Sequence, residues 1–95
     1  MKCTSLEEIR ANIDRIDDSI IKLMAERAEY VRQAAAFKKD EMGVKAPDRV
    51  KAVLERVDEK ARKYGAPPDI AVTVYKNMIE GFINTELDSF VKNNR

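Results

Sequence analysis

The sequence predicts an all-α protein of three helices, the first longer than the rest of the chain can cover. Three observations carry that prediction. Apolar side chains recur at spacings of three and four along most of the chain, the period of a helix with one buried face. Two of the three Gly and all three Pro collect in two short stretches, Gly43 to Pro47 and Gly65 to Pro68, where helices must break. No stretch alternates apolar with polar residues as a half-buried strand would. With 95 residues, the chain is read as a single helical domain over 1–95. Its composition, 44% apolar and 37% charged, fits a soluble helical protein.

The first helix starts at Ser5-Leu6-Glu7-Glu8, a capping box in which the Ser5 hydroxyl and the Glu8 carboxylate satisfy free backbone donors. Leu6, Ile9, Ile13, Ile16, Ile20, Leu23, Tyr30, Ala34 and Phe37 then step along one face, giving a helix over residues 6–39. Position 27 belongs to that series and holds Arg27. Residues 39–47 read as a polar loop and a candidate lid, since they contain Gly43 and Pro47 and join Lys38 to Arg49. A second helix over 48–64 turns Val50, Val53, Leu54, Val57 and Ala61 inward and stops at Gly65. Pro67-Pro68-Asp69 opens a third, carrying Ile70, Val74, Tyr75, Met78, Ile79, Phe82, Ile83, Leu87 and Phe90. Glu86 interrupts that apolar face.

The length of the first helix implies a second copy of the chain. About 34 residues rising 1.5 Å each span roughly 50 Å, whereas a compact chain of this size has a radius of gyration of about 12–13 Å. An intertwined homodimer, with the two long helices side by side and the shorter ones wrapping the ends, buries the seam with a single symmetry operation.

Charge and rare residues exclude several functions. Eighteen Lys and Arg against seventeen Asp and Glu leave a net charge of +1, which gives no general affinity for nucleic acid or an anionic membrane. Cys3 is alone and histidine is absent, so neither a thiolate metal cluster nor a His-dependent nucleophile is expected, and no cofactor is called for. The first residues lead straight into a charged amphipathic segment without the apolar core of a signal peptide, so a cytoplasmic location is expected.

A guanidinium on an apolar seam must be paired, reach water or meet an anionic ligand. For Arg27 taken alone, an ion pair with Glu26, Glu29 or an acid of a partner chain is the ordinary explanation. On a continuous helix Lys38 lies three turns further on, about 20° out of phase and roughly 16 Å away. The two can bracket a small molecule. Arg10 is roughly 25 Å from Arg27 and about 100° around the helix, out of reach of the same pocket but able to serve that of a partner chain. Arg49 opens the second helix beside the loop. The set makes a cationic cage for a small di-anion, built from two chains. The alternatives are a solvated helix end for Lys38-Lys39, a surface position for Arg10, and a Glu86 that merely pairs with Arg27 or Lys38.

Leu6-x-x-Ile9-Arg10-x-x-Ile13-Asp14-x-Ile16-Asp17, then Leu23-x-x-x-Arg27, Phe37-Lys38 and Pro47-Asp48-Arg49-Val50 together resemble the all-helical chorismate mutases over essentially the whole chain. The segments Cys3-Thr4-Ser5-Leu6-Glu7-Glu8-Ile9-Arg10 and Ala46-Pro47-Asp48-Arg49-Val50 are similar to one branch, the isochorismate pyruvate lyases of salicylate biosynthesis. The resemblance implies an intertwined dimer with two equivalent sites and Arg10 supplied by the partner chain. It implies that Arg10 and Arg27 bind the substrate carboxylates and that Lys38 hydrogen-bonds the ether oxygen whose C–O bond breaks. Chorismate would rearrange to prephenate by a concerted [3,3] shift needing no protein proton donor, which agrees with the missing histidine. Such a site works by holding a reactive conformer and placing cations where charge develops.

Two positions depart from the mutase pattern. Glu86 falls where bacterial members commonly carry a glutamine, and only its protonated form can donate to the developing oxyanion. Val50 falls where typical mutases place a carboxylate against the ring hydroxyl. The resemblance therefore implies a chorismate mutase with Lys38, Arg27 and Glu86 as catalytic residues and Arg10, Arg27, Lys38, Arg49, Val50 and Glu86 binding the substrate. Isochorismate pyruvate lyase is the alternative, and a non-catalytic helical dimer the reading from another functional class.

Overall fold

Four helices, α1 (Leu6–Ala35), α2 (Glu41–Lys45), α3 (Pro47–Tyr64) and α4 (Pro68–Asn93), make up the computed structural model, which describes residues 2–93. No strand occurs among the described residues. The three long helices are those expected, and α2 lies inside the stretch expected to be a loop.

α1 begins on the predicted serine, with one change in the capping. The Glu8 amide donates to Ser5 Oγ at 3.1 Å, but the Glu8 carboxylate accepts from the Thr4 amide at 3.0 Å and the Thr4 hydroxyl at 2.8 Å, not from Ser5. These two hydrogen bonds, the backbone one first, hold the Glu8 carboxyl below its ordinary value. Their contribution is present above the usual carboxylate range and is lost as pH falls through the lowered value. The helix runs for 30 residues without a breaker, a span of about 45 Å.

Its end comes at Ala35, not 39. The Phe37 amide donates to Ala34 O at 3.0 Å and the Lys38 amide to Ala35 O at 3.2 Å. These bonds to the third residue back tighten and close the last turn. Asp40 supplies the reason, because it adopts an extended conformation and caps α2 instead of continuing α1. Lys38 is therefore not a helical residue, and the phase relation that placed it on one face with Arg27 does not apply.

The chain forms two compact units, Met1–Gln33 and Ala34–Arg95. In the first, Leu6, Ile9, Ile13, Ile16, Ile20 and Leu23 are all exposed, Ile13 to 50% and Ile20 to 49%. Each such side chain gains about 1.5–3 kcal/mol when fully buried. Ala28 is the buried residue of α1, and Arg27 beside it is half-buried.

In the second unit α3 packs along α4, and α2 packs against α4. Ala61, Ile79 and Val44 are buried, while Val53, Leu54, Val57, Tyr75, Met78, Phe82, Ile83, Leu87 and Phe90 are half-buried. Ile70 and Val74, grouped by spacing with the apolar face of the last helix, are instead exposed. Val44, read as loop, is the most buried of the core residues at 3% exposure.

Two left-handed residues end helices in this unit and differ in chemistry. Gly65, at φ 76°, stops α3 as expected, and the Ala66 amide closes the end on Ala61 O at 2.8 Å. Ala46, at φ 40°, joins α2 to α3 and donates its amide to Met42 O at 2.8 Å. A left-handed non-glycine residue costs about 1–2 kcal/mol, against about 0.4–1 kcal/mol of extra unfolded-state entropy for glycine. Gly65→Ala is thus expected to destabilise by about 1 kcal/mol, and Ala46→Gly to stabilise by about 0.5–1 kcal/mol. No atom lies within 4 Å of a Cβ built on Gly65, so the first effect is one of backbone alone. Urea unfolding of both variants checks the opposed signs; equal signs would remove the backbone explanation.

Candidate active site

The site residues divide between the two units. Arg10 and Arg27 belong to α1 in the first. Arg10 is exposed, and Arg27 is half-buried on the apolar face. The neighbouring acid Glu29 is held by Arg32, whose guanidinium lowers its carboxyl through a hydrogen bond and direct charge attraction.

In the second unit the chain brings Lys38 and Glu86 together across 48 residues of sequence. Lys38 Nζ donates to Glu86 Oε2 at 3.0 Å. Their side chains are only 23% and 11% exposed, respectively. Water and salt screen such a pair less than the exposed Arg62–Asp58 pair on α3. The pairing with Lys38 is one of the two ordinary partners the sequence left open for Glu86.

Three elements build this contact. α4 carries Glu86 on its half-buried face between Phe82 and Phe90, with Ile83 and Leu87 beside it. The turn after α1 delivers Lys38. α2 then folds back against Lys38: a Cβ on Gly43 would stand 3.6 Å from Lys38 Cβ and 3.8 Å from Lys38 Cα. Val44, one residue on, is buried, and α2 packs on the helix that carries Glu86.

α2 is what sequence reasoning missed. Its signal was present as Asp40-Glu41, an N-cap residue followed by an acid in the first turn. The Asp40 side chain accepts the Gly43 amide at 2.7 Å. Arg49 follows in the first turn of α3 and is exposed, whereas Val50 is half-buried.

A hollow of this unit, about 460 Å³, is lined by Leu54, Glu55, Asp58, Glu59 and Val72. Its three carboxylates would repel a di-anion. The four candidate cations, Arg10, Arg27, Lys38 and Arg49, are not among its lining residues.

The family described as chorismate mutase type II has a sequence model that matches residues 9–87, a stretch that contains Arg10, Arg27, Lys38, Arg49, Val50 and Glu86. The chain belongs to the chorismate mutase type II family. Among curated relatives of this family member, the isochorismate pyruvate lyase of Pseudomonas aeruginosa is 33% identical over 85 residues, covering 90% of this chain and 84% of that protein. The chorismate mutase of Methanocaldococcus jannaschii is 31% identical over 77 residues, covering 79% of this chain and 77% of its own. A bifunctional chorismate mutase/prephenate dehydratase of Aquifex aeolicus is 29% identical over 85 residues, which are 85% of this chain but 24% of the longer protein. The all-α fold expected from the spacing is the fold of a family member. No helix among the described residues is long and apolar enough to cross a membrane.

Proposed function

We propose that this protein is a chorismate mutase, an isomerase converting chorismate to prephenate in a cationic pocket shared between two copies of the chain. The observation that carries the reading is the withdrawn Lys38–Glu86 contact in a chain of this family. A lysine held there offers its ammonium to the ether oxygen as the C–O bond breaks and the new C–C bond forms. A concerted shift leaves no intermediate and moves no proton to or from the protein, so the absence of histidine costs nothing. Arg27 and the partner copy's Arg10 hold the two carboxylates, Arg49 closes the outer side, and residues 1–95 work as one domain within a homodimer. The exposed Ile13, Ile16 and Ile20 face supports the dimer, since two copies of α1 cover it by one two-fold operation.

Isochorismate pyruvate lyase is the second reading, and Val50 favours it. An apolar side chain in the first turn of α3 offers the substrate ring no carboxylate, and the relative from Pseudomonas aeruginosa carries the lyase name. Incubating the pure protein with chorismate and with isochorismate, and identifying the products, separates the two. Prephenate from chorismate supports the mutase; salicylate and pyruvate from isochorismate alone support the lyase. Turnover of neither, with no thermal stabilisation by either di-anion, leaves a non-catalytic helical dimer.

Glu86 gives this reading a further test. Its carboxylate engages the Lys38 ammonium and would present negative charge beside the developing oxyanion, whereas a glutamine amide can donate there. Glu86→Gln is therefore expected to raise kcat, and steady-state kinetics that leave kcat unchanged would remove Glu86 from the reacting centre.

A further inference from the structure

Lys38 sits in a short non-helical link, and a lysine in such a link has no helix to fix its direction. Its four-carbon stem carries about 2 kcal/mol of rotamer entropy, so something must hold it if the 3.0 Å contact with Glu86 is to persist. α2 is the element in place. Its five residues are too few to form a helix unaided. Two contacts compensate: the Asp40 cap at its N-terminus and Val44 buried on the α4 side.

The cap and the lysine are mechanically linked. Asp40, in an extended conformation, turns the chain so that its side chain takes the Gly43 amide at 2.7 Å and its carbonyl takes the Val44 amide at 3.2 Å. The same turn sets Gly43 beside the Lys38 stem: a Cβ built on it would stand 3.6 Å from Lys38 Cβ, an ordinary contact, and 3.3 Å from Asp40 Oδ1. The Asp40 bonds thus close the turn from Asp40 to the buried anchor Val44, and Lys38 enters that turn from two residues before it.

We propose that Asp40 is a positioning residue for Lys38, acting through the α2 cap that seats Gly43 beside the lysine stem. Its role is carried by an acceptor oxygen, not by negative charge. The inference rests on the reading of Lys38 as a substrate-binding group, and its consequence for turnover follows from that reading alone.

The test uses Asp40→Ala and Asp40→Asn in the full-length protein. Asn caps as well as Asp, whereas Ala does not. With whichever substrate the wild type turns over, Asp40→Ala is expected to lower kcat about tenfold with a smaller change in KM, and Asp40→Asn to retain most of it. In a Lys38→Ala background, Asp40→Ala is expected to add no further loss, because both act through one ammonium. Full activity in Asp40→Ala, equal loss in Asp40→Asn, or a loss that adds to that of Lys38→Ala would each overturn the proposal. A readout independent of turnover separates this from failure of the enzymatic reading. The geminal Hε protons of Lys38 should be inequivalent by NMR in wild type and Asp40→Asn, and should merge in Asp40→Ala, as in Glu86→Ala. Unchanged Lys38 resonances in Asp40→Ala overturn the positioning role even if neither substrate is consumed. Merged resonances with no turnover uphold it while removing the mutase and lyase readings.

Discussion

Lys38→Ala is expected to lower kcat by about two to three orders of magnitude, with kcat/KM falling in parallel and little change in KM. The expectation follows from what the ammonium is asked to do. Charge on the ether oxygen grows only as the C–O bond breaks, so a cation placed there stabilises the transition state more than bound substrate. The Lys38 side chain is largely withdrawn from water, 23% exposed, so its interactions are less screened than those of a surface lysine. Steady-state kinetics with circular dichroism as a folding control provide the check. The variant also leaves the Glu86 carboxylate without its lysine, so Lys38→Ala/Glu86→Gln serves as the second measurement: it removes the orphaned charge and should restore stability without restoring kcat. A Lys38→Ala enzyme within tenfold of wild type would place the reacting oxygen elsewhere.

Mixing two inactive variants is expected to recover activity. Arg10→Ala and Arg27→Ala should each lose turnover at least about a hundredfold on their own. If each pocket takes Arg27 from one copy and Arg10 from the other, a heterodimer has one doubly damaged pocket and one intact pocket. Random assortment gives heterodimers as half of all dimers, so the mixture should reach about a quarter of wild-type activity after unfolding and refolding together. No recovery, or sedimentation of the wild type as a monomer, would eliminate the shared pocket. The exposed apolar row from Leu6 to Leu23 lies on the same helix as both arginines, so a dimer built on that row would bring arginines of both copies together.

Much of this protein is legible from spacing because its helices are long and its breakers few. The Ser5 cap, the unbroken run from Leu6 and Gly65 at the end of α3 all fall where the sequence puts them, and α3 starts one residue earlier than expected, at Pro47. Each depends on chemistry within a turn or two, so no distant contact was needed to read it. The misplacements share the opposite cause. The first helix was read through to residue 39 because Ala34 and Phe37 continue its period, and a period does not register that Asp40 gains more by capping the next helix. Val44 looked like loop because a five-residue helix has no period of its own, and its burial comes from α4, more than 20 residues further along the chain.

For the candidate site, the sequence by itself determined the ingredients: an arginine on an apolar seam, a lysine near the first helix's end, an acid interrupting the last helix, and no histidine. It determined the all-α class as well, since local periodicity and breakers are sufficient for that. Only the tertiary structure decided that Glu86 meets Lys38, and that residues 41–45 form a short helix, capped by Asp40 and packed on α4. The reason is physical. A hydrogen bond between side chains 48 residues apart is set by how helices pack, and no local spacing encodes it.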